Sequence, residues 1–263
     1  DIKVLTELST SNTEAAELLG DFYRKGWKVK KDHQKAIELY KRANNSYKAV
    51  IGMALIYHRA GDNVLAKLDK AVNIYRLAAL KSDEGKFLYG LALETNLKGK
   101  PDFKEALNVY KLGANASGNC AFKVAMAYQL GRGVKQDFVA AYSLHESAIR
   151  LAQYPQSFYE ISFMKRHGLG GIKRDLKGAL GFCSQAALRG VQRAEIEMVS
   201  LSIHNGDLQN GYFWYLVCFK THHVKPPEIS PYKGMLENSL TSQQKKLIER
   251  EVKKIIAKRK FAR

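Results

Sequence analysis

Acidic residues are in short supply. The chain of 263 residues sets 25 Asp and Glu against 43 Lys and Arg, a formal net charge of +18. Such an excess draws a molecule toward anionic partners or keeps it soluble. Proline is scarce too, with five residues, three of which (Pro226, Pro227 and Pro231) fall beyond residue 220. Proline breaks helix interiors, so the first 220 residues are open to helix almost throughout. No apolar run is long enough to cross a bilayer as a helix. The three cysteines, Cys120, Cys183 and Cys218, fit neither a disulfide framework nor a zinc motif, and read as small buried hydrophobes.

Signatures of catalysis are missing as well. The chain has no G-x-x-x-x-G-K-[ST], no H-E-x-x-H and no G-x-S-x-G. Gly131-Arg132-Gly133 and Gly168-Leu169-Gly170 look like phosphate loops in isolation, but no strand precedes either, so the dinucleotide reading fails. The sequence implies no enzyme, cofactor or metal.

What is present is repetition. Ala36, Ala71, Ala106, Ala141, Ala179 and Gly211 stand at intervals of 35, 35, 35, 38 and 32 residues. Four residues after each come Tyr40, Tyr75, Tyr110, His145, Cys183 and Tyr215; seven after come Ala43, Ala78, Gly113, Ala148, Ala186 and Cys218. Small, aromatic, small at i, i+4 and i+7 is one face of a helix, with small residues for close approach and the aromatic filling the space beside it. An Asp precedes these "B" helices at Asp32, Asp102, Asp137, Asp175 and Asp207, with Asp69 nearer its alanine. Aspartate at an N-cap accepts from otherwise unpaired N–H groups. Asp102 with Glu105, and Ser11 with Glu14, have capping-box spacing.

Ahead of each B helix lies an apolar "A" segment followed by a glycine: Gly26, Gly61, Gly99, Gly131, Gly168 or Gly206. Glycine just past a helix end accepts positive φ. The unit is therefore helix–turn–helix, about six times over. Stacking such units buries a continuous core that one pair cannot make alone. The fold class expected is all-α, a right-handed α/α solenoid with a C-terminal capping helix. Residues 1–220 form the solenoid, and 221–263 a proline-containing connector and a basic amphipathic helix.

In "VAMAYQLGRGVKQDFVAAYSLHESA", Ala121, Tyr128, Gly131, Gly133, Val134, Asp137, Ala141 and Ala148 resemble the Sel-one-like repeat, a relative of the tetratricopeptide repeat. Ala15, Leu19, Gly20, Tyr23, Gly26, Val29, Asp32, Ala36, Tyr40 and Ala43 match in the first repeat, and Gly168, Gly170, Asp175 and Ala179 in the fifth. The resemblance covers about residues 12 to 220; the loops of repeats two and three lack the double glycine. It implies a non-enzymatic scaffold that holds another protein on the concave surface of its A helices. Bacterial proteins similar to this family serve in exopolysaccharide secretion, host interaction and immunity to type VI secreted lipase toxins. The concrete expectation is an immunity protein in the bacterial periplasm or cell envelope after signal removal. The alternatives are an envelope or signalling adaptor, and a cytoplasmic location. The chain begins at Asp1 without a Met, as a trimmed or processed chain does. Cysteine-rich relatives, for which β-lactam hydrolysis has been suggested, carry a disulfide in each repeat; those pairs are lacking here.

After Lys220 the repeat stops. "THHVKPPEISPYKGM" reads as a turn-rich connector. A helix then restarts, with Thr241 or Ser242 and Gln244 placed for a capping box and an apolar stripe of Leu247, Ile248, Val252, Ile255 and Ile256. Residues 245–263 carry nine Lys and Arg against Glu249 and Glu251. This helix reads as a cap on the last repeat. Its alternative is a basic arm for nucleic acid or another anionic surface. Nucleic acid is the weaker partner reading, because the aromatics are committed to repeat positions and no recurrent polar code appears. His58, His167 and His204 sit near A-helix ends in separate repeats, His145 takes a B-helix aromatic position, and His222-His223 lie in the connector. The partner expected is a protein with an acidic surface, possible contacts being the turn cations Arg24, Lys28, Arg132, Lys135, Lys173 and Arg174.

Overall fold

The computed structural model describes residues 2–43, 46–59, 64–95, 100–221 and 227–261. The described residues form fifteen α-helices and no strand, in two compact units, Asp1–Gln136 and Asp137–Arg263. The first holds α1 (Ile2–Leu8), α2 (Thr13–Lys25), α3 (His33–Arg42), α4 (Tyr47–Arg59), α5 (Val64–Ala79), α6 (Asp83–Glu94), α7 (Phe103–Gly113) and α8 (Gly118–Leu130). The second holds α9 (Phe138–Ala152), α10 (Pro155–His167), α11 (Leu176–Leu188), α12 (Gln192–His204), α13 (Leu208–Thr221), α14 (Lys233–Asn238) and α15 (Ser242–Phe261). The even-numbered helices from α2 to α12 are the expected A helices and the odd-numbered ones from α3 to α13 the expected B helices. The architecture is an all-α solenoid. The boundary between the units falls inside the repeat run, between α8 and α9, and α15 is part of the second unit.

The small–aromatic–small face is buried in every repeat. Tyr40, Tyr75, Tyr110 and Tyr215 are buried, and so are the alanines, glycines and Cys218 around them. Two of the rings, Tyr40 and Tyr110, lie against glycine. A Cβ added to Gly20 in α2 would come within 2.7 Å of the Tyr40 ring. One added to Gly52 in α4 would meet the far edge of the same ring, and one at Gly90 in α6 would meet Tyr110. One B-helix tyrosine thus wedges against the A helix of its own repeat and that of the next. His145 fills the same place in α9. It is fully buried, and its Nδ1 lies 3.1 Å from the Ser157 hydroxyl. Burial pushes its pKa down to about 3. The three cysteines are buried free thiols, as expected. Burial raises their pKa values, that of Cys183 to about 12.

The helix-start aspartates cap as expected at five places. The carboxylates of Asp32, Asp102, Asp137, Asp175 and Asp207 accept from the N–H groups of Lys35, Glu105, Ala140, Gly178 and Asn210 at 2.8–3.0 Å. Several also tie back to the preceding A helix. The N–H groups of Asp32, Asp102, Asp175 and Asp207 donate to the carbonyls of Tyr23, Leu93, Lys165 and Ser202. Each such residue therefore starts helix B and fixes its entry from helix A.

Four local expectations are corrected. Asn12, not Ser11, caps α2, accepting from the Ala15 N–H at 3.0 Å, because a short unforeseen helix, α1, shifts the chain's entry. Asp69 lies within α5 rather than before it. The Asp102 capping box is half made, since the Glu105 carboxylate instead accepts from the Tyr89 hydroxyl at 2.9 Å. The connector is not merely turns: it contains a 3₁₀ turn, Ser230–Tyr232, and α14, and it buries Ile229, Leu236 and Leu240 in the core of the second unit. Gly61, Gly99, His222 and His223 lie outside the described residues.

Helix α15 is a cap. Thr241 and Gln244 make the expected capping box: the Gln244 side chain accepts from the Thr241 N–H at 2.9 Å, and the Thr241 hydroxyl accepts from the Gln244 N–H at 3.3 Å. Val252 is fully buried, with Ile248 and Ile256 packed on the same core; Leu247 of the expected stripe is exposed. The polar lock is Arg259. Its Nη1 donates at 2.7 Å to the carboxylate of Glu195, which is 0% exposed. Its Nη2 and Nε donate to the carbonyls of Ala187 and Leu188 at the end of α11. One guanidinium thereby neutralises a buried carboxylate and caps the negative end of a helix dipole.

Three outcomes are expected from urea unfolding. Gly90→Ala destabilises by about 1–3 kcal/mol through overpacking on Tyr110, although alanine is the better helix former. Arg259→Ala costs about 3–5 kcal/mol in the second unit, because Glu195 is left charged and buried. His145 has a folded pKa below its unfolded value near 6.5. It is fully neutral in both states above that value, and the unfolded chain takes the proton first as pH falls. Stability therefore declines from about pH 6.5 toward 3, and His145→Gln flattens that part of the profile.

Candidate functional site

The double-glycine turn after α8 is built for geometry. Gly131, at φ 66°, ends the helix, and the Arg132 N–H returns to the Ala127 carbonyl at 3.0 Å. Gly133, at φ 72°, lies so close to α7 that a Cβ there would stand 2.5 Å from the Phe103 carbonyl oxygen. Both the dihedral and the close approach demand glycine. The first repeat has Lys28 at the matching place with φ 57°, a left-handed conformation borne by a non-glycine residue. The Gln136 side-chain amide donates to the Gln129 carbonyl at 2.8 Å and closes the loop. Val134 is half-buried.

The six turn cations do not form one site. Arg132 places its guanidinium 5.4 Å from the Phe103 ring centre, so it is partly engaged in packing. Lys135 and Lys28 are exposed. In the second unit Lys173 is exposed and the Arg174 Nε donates to the Arg166 carbonyl at 3.2 Å. Arg24 is not a turn residue: it lies in the last turn of α2, where its guanidinium donates to Asp21 at 2.9 Å and to the Tyr40 hydroxyl at 3.0 Å. The Tyr40 hydroxyl donates in turn to Asp21 at 2.7 Å, and Lys25 to the other Asp21 oxygen at 3.0 Å. Burial alone would raise the Asp21 pKa. The hydrogen bonds from Tyr40, Arg24 and Lys25 outweigh it, and the carboxylate is held below its ordinary range. Burial, with the neighbouring carboxylate, holds the Tyr40 phenol well above its ordinary value.

Around Arg24 the structure assembles a site that the repeat pattern does not mark. Lys25, Trp27, Lys31, His33, Leu55 and Ile56 join it in lining a cavity of about 360 Å³. The end of α2 supplies Arg24 and Lys25, the turn supplies Trp27 and Lys31, α3 opens with His33, and α4 contributes the apolar floor. Trp27 is 56% exposed for all its size. Its ring meets Phe22 edge-on at 6.5 Å, and the Lys25 ammonium sits 4.2 Å from its centre. Burial, then the charges of Lys31 and Arg24, push the His33 pKa down. The signal was legible as "RKGWKVKKDH", residues 24–33, a tryptophan flanked by cations. Only folding brings Leu55 and Ile56 to it. A second cavity, about 140 Å³ and lined by Val72, Ala92, Leu93, Lys100, Asp102 and Glu105, is smaller and of mixed charge.

Among the described residues, no three His, Cys, Asp or Glu side chains are grouped to hold a metal ion. The His167 ring packs at a tilt against Phe163, centroids 4.6 Å apart, and the His204 ring bonds to the Ser200 carbonyl at 2.7 Å. The His58 ring is outside the described side chains. No helix among the described residues is long and apolar enough to cross a membrane.

Comparison with known proteins agrees with this architecture. The model of the Sel1 repeat matches residues 13–46, 48–83, 118–152 and 159–191. The fold is similar to that of a Sel1 repeat protein from Oxalobacter formigenes, at 23% identity and a TM-score of 0.71, over 81% of this chain and 89% of that one. It is also similar to a protective antigen present in uropathogenic Escherichia coli strains, described as displaying an SLR fold, at 15% identity and a TM-score of 0.51, over 94% of this chain and 62% of that one. No curated protein matches the chain. Four matched repeats, which together span half of the sequence, place this chain in the Sel1 repeat family.

Proposed function

We propose that the chain is a non-enzymatic scaffold that binds an acidic surface of another protein. Sel1 repeat proteins are generally protein-interaction scaffolds. The observation that supports an acidic partner here is charge: a net +18, with exposed cations at the turns and the basic cavity at the end of α2. Such a surface steers association and makes it sensitive to salt. The most specific form of this reading is a bacterial envelope protein that neutralises a secreted toxin such as a type VI lipase. Its support is the resemblance to the family, since bacterial proteins similar to it include such immunity proteins. The alternative, a nucleic-acid or other anionic-surface binder through α15, would use the exposed Lys246, Arg250, Lys253, Lys254 and Lys258, while Val252 and Arg259 of the same helix are engaged in capping.

The test is capture from nuclease-treated extract with the immobilised chain. A protein partner should be retained at about 50 mM salt and released several-fold at about 300 mM, where the screening length has roughly halved. Recovery of nucleic acid alone from untreated extract would sink the scaffold reading. For the narrower form, co-expression with a lipase encoded by a neighbouring reading frame should restore growth that the lipase alone arrests.

A further inference from the structure

We propose that the cavity between the end of α2, the turn after it and α4 takes a carboxylate side chain, together with an adjacent apolar side chain, from an extended acidic segment of the partner protein. This deepens the scaffold reading and rests on it. The cavity, at about 360 Å³, falls within the range of sites that enclose a ligand group, roughly 300–1,000 Å³. Among the described residues that line it, Arg24, Lys25, Lys31 and His33 are basic and none is acidic. Asp21, the carboxylate beside it, is occupied by Arg24, Lys25 and Tyr40. The Lys31 and His33 side chains make no ion pair or hydrogen bond among the described residues, so the Lys31 charge and the hydrogen-bonding capacity of the His33 ring, which burial and the neighbouring cations hold toward its neutral form, remain available.

The remaining lining sets the shape of the occupant. Leu55 and Ile56 form an apolar floor that a small inorganic anion would leave unused. Trp27 stands 56% exposed at the rim, fixed from two sides by Phe22 and Lys25. A rigid, amphipathic ring beside a pocket is the usual anchor of a protein interface. Arg24 is held in place by Asp21 and Tyr40 before any ligand arrives, which lowers the ordering cost of binding. A nucleic-acid strand is a poorer fit, because its bases stack on successive aromatics along a groove and, among the described residues, one exposed aromatic ring, Trp27, lines this cavity.

The experiment titrates the full chain with an acetylated heptapeptide of alternating leucine and glutamate, and with the same peptide carrying glutamine for glutamate. The readout is tryptophan emission. The chain has two tryptophans, and Trp214 is buried. Trp27→Phe should abolish the response. The glutamate peptide should bind about tenfold or more tightly than the glutamine peptide, a difference of about 1.4 kcal/mol. Lys31→Glu should weaken it by a similar factor with an unchanged melting temperature, while Lys135→Glu, the same charge change at a different turn, should leave it intact. Equal affinity for the two peptides, equal weakening by both variants, or no response at all overturns the proposal. Capture of an acidic protein equally by the wild type and by Lys31→Glu also overturns it and leaves the scaffold reading standing.

Discussion

The fold depends on an aromatic ring driven into a gap that only glycine leaves open. Tyr40 is the clearest case, with its ring against Gly20 of α2 on one edge and Gly52 of α4 on the other. A buried tyrosine contributes a large apolar area, and that area is gained only if the helix backbones can approach it. The ring also links neighbouring repeats, so its burial ties the packing of one helix pair to the next. Its hydroxyl meets Asp21 and Arg24 at the edge of the core, which satisfies a polar group that burial would otherwise penalise. Repeats that lack the ring keep the buried position with other chemistry, a neutral histidine against Ser157 in α9 and a thiol in α11.

Turn geometry follows from that packing. The helix-start aspartates cap helix B with a carboxylate, and most also return an N–H to helix A, so one residue sets the position of two helices. Gly133 answers a nearby backbone carbonyl as well as a dihedral requirement. What the turns leave over for function is therefore a small set of side chains that neither cap nor pack. At the first turn these gather around an apolar floor. At the turn after α8, Arg132 lies over Phe103 and only Lys135 points to no partner among the described residues.

The C-terminal segment shows how an end can be closed when the repeat runs out. The last B helix offers Tyr212, Trp214, Tyr215 and Leu216 to the core, and α14 and α15 cover it. Burying a carboxylate there carries a desolvation cost. Arg259 offsets that cost from a helix whose own sequence is overwhelmingly basic, so a composition that suggested an anion-binding arm also supplies the counter-charge for Glu195.

By itself the sequence determined the helix pairs, their order, the faces they bury, the aspartate caps and the family, because these repeat in register and depend on local backbone chemistry. It also marked the last helix as amphipathic. It did not reveal α1 or α14, whose short patterns never recur. It misplaced the α2 cap by one residue and treated Arg24 as a free turn cation, although Tyr40, sixteen residues away, holds it in place. The basic cavity was half visible as cations around Trp27. Only tertiary structure decided that Leu55 and Ile56 would form its floor and that Asp21 would be occupied while Lys31 was not. Side-chain partnership across repeats depends on how closely backbones approach, and that distance is set by packing rather than by any single stretch of chain.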